Sequence, residues 1–295
     1  MKKISIIIMS ILPFLGWANA QGNLIAENAE IERQGTTRFG FTEGATTAPD
    51  GRVFFTDQPN DRIYVWCEND GISLWLEGTE RANGMFFFNG LLYAAADEHN
   101  RIVTFDENRN MTIVFENYGG AHLNGPNDVW VAPNGNIYFT DPFFRRPWWA
   151  EGHSELQPSR GVYFLSTSGD VRRVIDDFVQ PNGLIGTPDG RTLFAADWEG
   201  QRTWRFDILP NGELANRRLF APIGSDGMTL DEHGNLYLTM RRSVWIISPE
   251  GVLLKEIEFP EPPSNLTFGG AERNILFVTA RTGVFTLKMN VRGVH

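Results

Sequence analysis

Short runs of apolar residues alternate with turn residues along most of the chain, and six of these runs share one pattern. In each, a turn rich in Gly, Asn or Asp leads into a run of β-forming residues that ends on Asp, Met or Ala. Apolar runs bounded by such turns predict antiparallel hairpins. The six copies are PDGRVFFTD (49–57), NGLLYAAAD (89–97), PNGNIYFTD (133–141), PDGRTLFAAD (188–197), HGNLYLTM (233–240) and ERNILFVTA (272–280).

A repeat of roughly 40 to 50 residues is typical of β-propellers, in which each blade is a four-stranded antiparallel sheet. Most copies are followed by a third strand, such as DRIYVWCE (61–68), and then by a fourth. Unrelated hairpins in a β-sandwich would not share this internal order. We therefore predict an all-β fold, a single six-bladed β-propeller domain over residues 21–295 with four antiparallel strands per blade.

The last blade has too little chain for four strands. Its strands are predicted at 266–268, 275–279 and 284–288, and few residues follow. We expect residues 29–34 to add the outer strand of this blade and so close the ring of blades.

An oxygen-bearing side chain stands seven or eight residues before each of the six turns. Because the first strand of each propeller blade lines the central channel, six residues at the starts of these strands form a ring at the channel mouth. A single Asn-Gly pair is more often only a turn former, but turn chemistry does not require two carboxylates among four amides at matched positions. The ring consists of Glu43, Asn83, Asn127, Asn182, Asp226 and Asn265, at intervals of 40, 44, 55, 44 and 39 residues.

The chemistry of this ring is that of a site for a hard divalent cation. Ca²⁺ takes about six to eight oxygen ligands in flexible geometry. The ring contains no His or Cys, which argues against a dedicated zinc or copper site. We predict Ca²⁺, with Mg²⁺, Mn²⁺ or Zn²⁺ as substitutes.

The amino terminus has the pattern of a cleavable secretory signal. Lys2 and Lys3 precede an apolar stretch from Ile4 to Trp17, and small residues follow it. The stretch is short and interrupted by Pro13, which is unlike a membrane span. We expect residues 1–20 to be removed and the mature protein to be exported, periplasmic or secreted, without a membrane anchor.

Charge and cysteine content narrow the range of partners. The formal net charge of −10 becomes −12 without Lys2 and Lys3. Such an acidic chain is a poor partner for nucleic acid or for an anionic membrane. Cys67 is the only cysteine, so no internal disulfide can form and the fold depends on its core. Nothing in the sequence specifies an oligomeric state.

Six motifs spread over the chain carry a resemblance to a known family. They are FTEG (41–44), FTDQPNDRI (55–63), LNGPND (123–128), YFTDP (138–142), VQPNG (179–183) and GSDGM (224–228). In this combination the chain from about Phe41 to Val291 resembles the senescence-marker-protein, gluconolactonase and luciferin-regenerating-enzyme family, and the exported bacterial gluconolactonases in particular. These proteins are six-bladed propellers with one divalent metal in the channel. The resemblance implies the metal ligands Glu43, Asn127, Asn182 and Asp226, and Asp226 also matches the carboxylate proposed as catalytic.

The resemblance further implies metal-dependent hydrolysis of a sugar-acid lactone, such as gluconolactone, to the open aldonic acid. Vertebrate members carry an Arg that holds sugar hydroxyls two residues before the second ligand, where this chain has Gly125. The related diisopropyl fluorophosphatases have a similar ligand set, so another metal-assisted esterase or phosphotriesterase is an alternative. A non-catalytic propeller that binds a sugar or a protein is a third possibility, since fold does not fix function.

Lactone hydrolysis needs a polarised carbonyl and an attacking water or carboxylate. A metal ion supplies the polarisation as a Lewis acid. Asp226 can accept a proton from the water or attack directly, and the sequence favours neither route. The chain has no G-x-S-x-G motif, so a serine nucleophile is not indicated.

The long third interval of the ring contains a loop, PFFRRPWWAEGHSELQPSR (142–160), directly after a second strand. The strand count places this loop above the channel mouth, where long loops often serve function. Five side chains of the loop could hold an acid group and stack on a sugar ring: Arg145, Arg146, Trp148, Trp149 and His153. Of these we single out Arg145 and Trp148, and together with His122 and the ring amides of Asn83 and Asn265 we expect them to contact substrate. The alternative is a loop folded on its own aromatic residues. The aspartates that end second strands are expected to cap turns rather than bind metal: Asp57, Asp97, Asp141 and Asp197.

Overall fold

The computed structural model describes residues 23–295, and the predicted signal at residues 1–20 lies outside this range. The described residues form six four-stranded antiparallel sheets and one two-stranded hairpin. This arrangement confirms the all-β six-bladed propeller. Within residues 23–295 the only helical element is a 3₁₀ turn at Gln58–Asn60, and no helix is long and apolar enough to cross a membrane.

The strands are numbered in chain order and grouped by blade. The first, β1, spans Glu32–Arg33. Blade 1 contains β2 (Thr42–Thr47), β3 (Val53–Asp57), β4 (Arg62–Cys67) and β5 (Gly71–Glu77). Blade 2 contains β6 (Ala82–Phe88), β7 (Leu91–Ala96), β8 (Arg101–Phe105) and β9 (Met111–Phe115). A small hairpin follows, made of β10 (Asn117–Tyr118) and β11 (Ala121–His122).

The remaining blades repeat the same order. Blade 3 contains β12 (Val129–Val131), β13 (Ile137–Asp141), β14 (Gly161–Leu165) and β15 (Val171–Ile175). Blade 4 contains β16 (Pro181–Gly186), β17 (Thr192–Asp197), β18 (Arg202–Ile208) and β19 (Leu214–Ala221). Blade 5 contains β20 (Met228–Leu230), β21 (Leu236–Met240), β22 (Ser243–Ile247) and β23 (Leu253–Glu258). Blade 6 contains β24 (Asn265–Gly269), β25 (Ile275–Ala280) and β26 (Gly283–Lys288), with β1 as its outer strand.

The sixth blade is closed by the amino-terminal part of the described chain. Strand β1 pairs antiparallel with β26, with Glu32 opposite Thr286 and Arg33 opposite Phe285. Next to this pair, the backbone N–H of Gln34 donates to the carbonyl of Val284 over 2.9 Å. The predicted closure by residues 29–34 is therefore confirmed, and the two ends of the propeller share one sheet.

The first strands of the six blades pack against one another around the channel. Strands β2 and β16 are buried at every residue, whereas the outer strands β9 and β23 are mostly exposed or half-buried. An inner strand touches the neighbouring blades and the channel together, so both of its faces are covered. This burial explains why the inner strands combine apolar residues with small and polar ones such as Gly, Thr and Asn.

Neighbouring inner strands come closest at glycines that directly follow ring residues. A Cβ atom built on Gly44 would lie 2.0 Å from the carbonyl oxygen of Asn83, and one on Gly183 would lie 2.6 Å from that of Asp226. A real Cβ cannot come so close to backbone, so these positions require glycine. A Cβ on Gly84 would lie 2.4 Å from the carbonyl oxygen of Asn127, and one on Gly227 would lie 2.5 Å from Cγ of Asn265. The four pairs of an oxygen-bearing residue and Gly therefore let four of the blades approach the ring residue of the next.

Candidate functional site

The six ring residues stand where the inner strands begin, at one end of the channel. Four of them lie within β2, β6, β16 and β24, whereas Asn127 and Asp226 lie two residues before β12 and β20, respectively. All are buried except Asp226, which is half-buried. Asp226 is thus the ring residue with the most contact with solvent.

Three of the four predicted metal ligands are in direct contact. The amide Nδ2 of Asn182 donates to Oδ1 of Asp226 over 2.8 Å, and Asp226 also forms a hydrogen bond with Glu43. The fourth, Asn127, is held by its backbone, whose carbonyl accepts a hydrogen bond of 2.7 Å from the N–H of Gly84. Within residues 23–295 its side chain forms no hydrogen bond with the other three, so coordination by all four residues stays a prediction.

The electrostatics of the ring favour a cation. Burial, together with repulsion from Asp226 and Asp128, raises the pKa of Glu43 well above its ordinary value. Burial also raises the pKa of Asp226 to about 6, although the hydrogen bond from Asn182 lowers it. Two carboxylates in contact and largely withdrawn from solvent cannot both be ionised unless a positive charge compensates them. A proton or a metal ion can supply that charge.

Two amide oxygens of the ring have no partner among the described residues. The Oδ1 atoms of Asn182 and Asn83 are buried and accept no hydrogen bond. Leaving a buried acceptor unsatisfied costs about 1–3 kcal/mol. The Oδ1 atom of Asn265, in contrast, accepts the N–H of Leu266 over 2.8 Å. The unpaired oxygen of Asn182 beside the carboxylate of Asp226 is what a site for a hard cation requires.

The ring differs from sites built of His, Cys and carboxylates. Among residues 23–295, no group of three or more His, Cys, Asp or Glu side chains could hold a metal ion. This agrees with a predicted ligand set in which two of four residues are amides. The donor atoms present, carboxylate and amide oxygens, fit Ca²⁺ or another hard cation.

Asp128 is a third carboxylate of the channel, which is buried and which the sequence interpretation missed. Its Oδ2 accepts the N–H of Leu184 over 3.3 Å, and the side chain of Asn265 also hydrogen-bonds with it. Burial and repulsion from Asp226 raise its pKa well above the ordinary value. A Cβ on Gly84 would lie 2.1 Å from Asp128 Oδ1, so Gly84 makes room for this carboxylate. The sequence feature that could have identified Asp128 is its position directly after Asn127. Four other ring residues are followed by Gly at this position.

Three of the aspartates that end second strands hold the segments leading to ring residues. Asp141 accepts the backbone N–H groups of Asn124 and Gly125, at 3.0 and 2.9 Å. The prediction that these aspartates cap turns is confirmed for them. In the same way, Asp57 accepts the backbone N–H groups of Gly40 and Phe41, and Asp197 accepts those of Val179 and Gln180.

Asp97 is the exception, and it anchors the long loop instead. Its buried Oδ2 accepts Arg146 Nε at 2.6 Å and Gln58 Nε2 at 2.8 Å. The indole N–H of Trp149 donates to the Asp97 carbonyl over 2.7 Å. Arg145, which we expected to contact substrate, is exposed and ties the loop to itself through a bond of 2.8 Å to the carbonyl of Ala150. The structure therefore brings Arg146, rather than Arg145, close to the ring.

The other predicted substrate-binding residues are divided between the loop and the surface. Trp148 is half-buried, with the guanidinium of Arg81 at 4.6 Å and that of Arg146 at 5.7 Å from its ring. Trp149 is buried and stacks on Phe143 with 5.7 Å between ring centroids. Part of the loop is thus folded on its own aromatic residues. His122 is exposed in the small β10–β11 hairpin.

Trp149 also accounts for the glycine at position 125. A Cβ on Gly125 would lie 2.8 Å from Cη2 of Trp149. The position at which vertebrate members of the resembled family carry an arginine is therefore closed by an indole ring. A side chain at residue 125 and the observed position of Trp149 exclude each other.

The fold and the ring define a six-bladed propeller with an oxygen-lined channel mouth. Residues 41–282 match the SMP-30/gluconolactonase/LRE-like region, and the chain belongs to this family. A gluconolactonase from Zymomonas mobilis is 26% identical over 284 residues, which is 86% of this chain and 80% of that protein. A diisopropyl-fluorophosphatase from Loligo vulgaris is 28% identical and covers 78% of this chain and 77% of its own.

Solved structures agree with this assignment. A gluconolactonase from Xanthomonas campestris superposes with a TM-score of 0.80 at 26% identity, covering 91% of this chain and 95% of that one. The calcium-binding protein regucalcin from Agrobacterium tumefaciens has a TM-score of 0.70 at 17% identity, over 87% of this chain and 92% of its own. The likeness to regucalcin shows the fold alone. The family includes calcium-binding members.

Proposed function

We propose that this protein is a Ca²⁺-dependent lactonase that hydrolyses a sugar-acid lactone, such as gluconolactone, to the open aldonic acid. The observation that carries the proposal is the contact of Glu43 and Asn182 with Asp226, beside an Asn182 oxygen that has no partner. Membership of the family and the similarity to two gluconolactonases support it. Export to the periplasm or the medium is part of the same proposal.

The residues that would hold the ion are Glu43, Asn127, Asn182 and Asp226. When bound, calcium would polarise the lactone carbonyl as a Lewis acid. Four protein ligands are fewer than the six to eight oxygens that Ca²⁺ takes, so positions remain for substrate and water. This is the reason to favour an enzyme over a propeller in which the metal only braces the channel.

Asp226 is the candidate catalytic residue. The residue is half-buried, and the amide of Asn182 fixes the orientation of its carboxylate through the 2.8 Å hydrogen bond. The positive charges of Arg146 and Arg281 favour its ionised form. The ionised carboxylate can accept a proton from an attacking water or attack the carbonyl itself.

The outer ring amides have different roles in this proposal. Asn83, whose buried Oδ1 is unpaired, would accept a hydrogen bond from a substrate hydroxyl. Asn265 hydrogen-bonds with both Glu43 and Asp128, so it would hold these carboxylates in place.

The test is a panel of substrates measured with and without metal. Hydrolysis of glucono-1,5-lactone, phenyl acetate and a phosphotriester would be followed after EDTA treatment and dialysis, and again after calcium is added back. We expect the lactone to be the best substrate and its hydrolysis to depend on calcium. Activity confined to the phosphotriester would favour the second candidate, a phosphotriesterase, which the 28% identity to the diisopropyl-fluorophosphatase supports. Lactone hydrolysis untouched by EDTA would refute the role of the metal.

A further inference from the structure

Residues 289–295, which we call the strap, cross the end of the channel that lies opposite the ring. The strap follows β26 of blade 6 and runs over the turns of blades 6 and 5. In blade 6 the backbone N–H of Gly293 donates to the carbonyl of Arg273 over 2.8 Å. In blade 5 the N–H of Val294 donates to the carbonyl of Leu230 over 3.3 Å. These backbone bonds fix the path of the strap towards blade 4.

The imidazole of His295 joins the strap to two further blades. Its Nε2 lies 2.8 Å from the carbonyl oxygen of Gly186, the last residue of β16 in blade 4. Because a carbonyl oxygen only accepts hydrogen bonds, Nε2 carries the proton and donates it. The ring of Phe86, in β6 of blade 2, meets the imidazole edge to face with 5.5 Å between ring centroids. The side chain of His295 is therefore held in a defined position at the channel axis.

A small chamber lies in the channel between the ring and His295. Its volume is about 20 Å³, and the inner strands of all six blades line it. Asp128 and Asn265 bound the chamber at the ring, and His295 bounds it at the other end. A cavity needs at least about 10–15 Å³ to hold one water molecule. The chamber therefore has room for about one water.

A larger cavity, of about 210 Å³, lies beyond His295 at the end of the channel opposite the ring. Thr47, at the end of β2, and Thr187, directly after β16, are among the residues that line it. Three residues line both the chamber and the larger cavity: Thr46, Phe86 and His295. These three side chains form the partition between the two spaces. His295 is the part of the partition that the strap supplies.

The partition has a consequence for the carboxylates of the ring. Asp128 is buried beside the chamber, and Asn265 hydrogen-bonds with both Asp128 and Glu43. The attraction between a cation and a carboxylate is stronger where water is excluded. The surroundings of a metal site control its access to solvent and its dielectric. A chamber limited to about one water thus favours a bound cation.

We propose that His295 is a plug that closes the channel below the ring, so that water and solutes reach the ring only through the channel mouth. The plug keeps the chamber apart from the larger cavity and keeps the carboxylates of the ring in surroundings of low dielectric for calcium. The part of the inference that concerns calcium rests on the proposed function, whereas the closure itself does not.

Cysteine labelling tests the closure. In a C67S background, which removes the only native thiol, T229C places a thiol in the chamber and T187C places one in the larger cavity. The rate of reaction of each thiol with methyl methanethiosulfonate is measured in saturating calcium. The same rates are then measured with H295A, which removes the imidazole.

Two further variants serve as controls for H295A. H295Q keeps a side-chain N–H for the carbonyl of Gly186 and much of the volume of the imidazole. R292Q changes another side chain of the strap, one that forms an exposed ion pair with Glu272 at 2.7 Å. Circular dichroism of all variants should show an intact fold.

With His295 in place, T229C should react at least about 10-fold more slowly than T187C, because modification requires access of the reagent to the thiolate. H295A should speed the reaction of T229C by about 10-fold or more and leave that of T187C unchanged. H295Q and R292Q should leave both rates unchanged. Equal rates for T229C and T187C in the chain with His295 would overturn the closure, and this comparison does not depend on the folding of H295A. A rate for T229C that H295A leaves unchanged, or that R292Q raises as much, would also overturn it.

Isothermal titration calorimetry tests the part of the inference that concerns calcium. Once the chamber joins the larger cavity, water gains access to the surroundings of the ring, so H295A should bind calcium roughly 10-fold more weakly than R292Q. Equal calcium affinities of H295A and R292Q would overturn the role of the plug in calcium binding. If the wild-type protein binds no calcium, it is the proposed function that fails, and the labelling rates still decide whether His295 closes the channel.

Discussion

The amide nitrogen of Asn182 lies 2.8 Å from Oδ1 of Asp226, and the oxygen of the same amide is buried without a partner. One side chain thus orients the candidate catalytic carboxylate and also offers an unused ligand atom beside it. The close approach depends on Gly183, where a Cβ would lie 2.6 Å from the carbonyl oxygen of Asp226. The Asn-Gly pair at 182–183 is therefore both a contact between blades and part of the candidate site.

Replacing Asp226 by Asn tests its role in the reaction. The change keeps a ligand oxygen but removes a negative charge and the proton acceptor, so calcium affinity should fall. In saturating calcium, lactone hydrolysis should still be lower by on the order of 10²-fold or more, the usual scale for a positioned acid or base. Circular dichroism should show an intact fold. Recovery of near-wild-type turnover in high calcium would make Asp226 a ligand only.

The two ring amides Asn182 and Asn265 should respond differently to alanine substitution. Asn182 has a free oxygen for the ion, whereas the Asn265 oxygen already accepts the N–H of Leu266. We expect N182A to weaken calcium binding by on the order of 100-fold or more, and N265A by roughly 10-fold. Substitution of residues that support metal ligands typically lowers metal affinity by about 10- to 100-fold. Isothermal titration calorimetry with calcium measures both. Equal affinities in the two variants would argue against Asn182 as a ligand.

The contact between Gly125 and Trp149 predicts a rescue. G125A places a Cβ only 2.8 Å from Trp149 Cη2, and overpacking of this kind typically costs about 1–3 kcal/mol. In a W149A background the same change should cost less, because the ring is gone and only the strain of a side chain at φ +153° remains. Urea denaturation of the four proteins gives the coupling energy directly. Additive effects of the two substitutions would show that a side chain at residue 125 and the ring of Trp149 do not exclude each other.

Asp141 should make the stability of the metal-free protein depend on pH. Burial raises its pKa to about 7, against hydrogen bonds from the backbone of Asn124 and Gly125 that lower it. The folded state then binds more protons than the unfolded state between about pH 4 and pH 7. Its contribution to stability is present below about pH 4 and is lost as the pH rises towards 7.

The variant D141N isolates this contribution. The free energy of unfolding of the wild-type protein in EDTA should fall more steeply between pH 5 and pH 7 than that of D141N. The difference in slope is at most about 1.4 kcal/mol per pH unit for one group. Parallel slopes in urea denaturation would mean that Asp141 is ionised throughout this range.

The fold could be predicted from the sequence because its signal is repeated. Each hairpin carries the same order of turn and apolar run, and four of the six runs end on Asp, so six weak patterns support one another. The closure by Glu32–Arg33 followed from counting the strands of the last blade. The ring could be found for the same reason, since its members occupy matched positions in the copies.

The parts of the site that break the repeat could not be found in this way. Asp128 stands where most copies have Gly, and only the packing of Gly84 reveals that the channel has room for its carboxylate. In the irregular loop no periodicity separates Arg145 from Arg146. The choice between them depends on the buried carboxylate of Asp97, which binds Arg146 from a distant part of the chain.

A crystal structure of the protein grown with calcium tests the central claim most directly. The account predicts one calcium ion at the channel mouth, with oxygens of Glu43, Asn127, Asn182 and Asp226 at about 2.3–2.6 Å, the usual range for this ion. Asn265 should keep its bond to Leu266 and stay outside that range. Calcium bound elsewhere, or an empty ring in crystals of protein that hydrolyses lactones, would contradict the account.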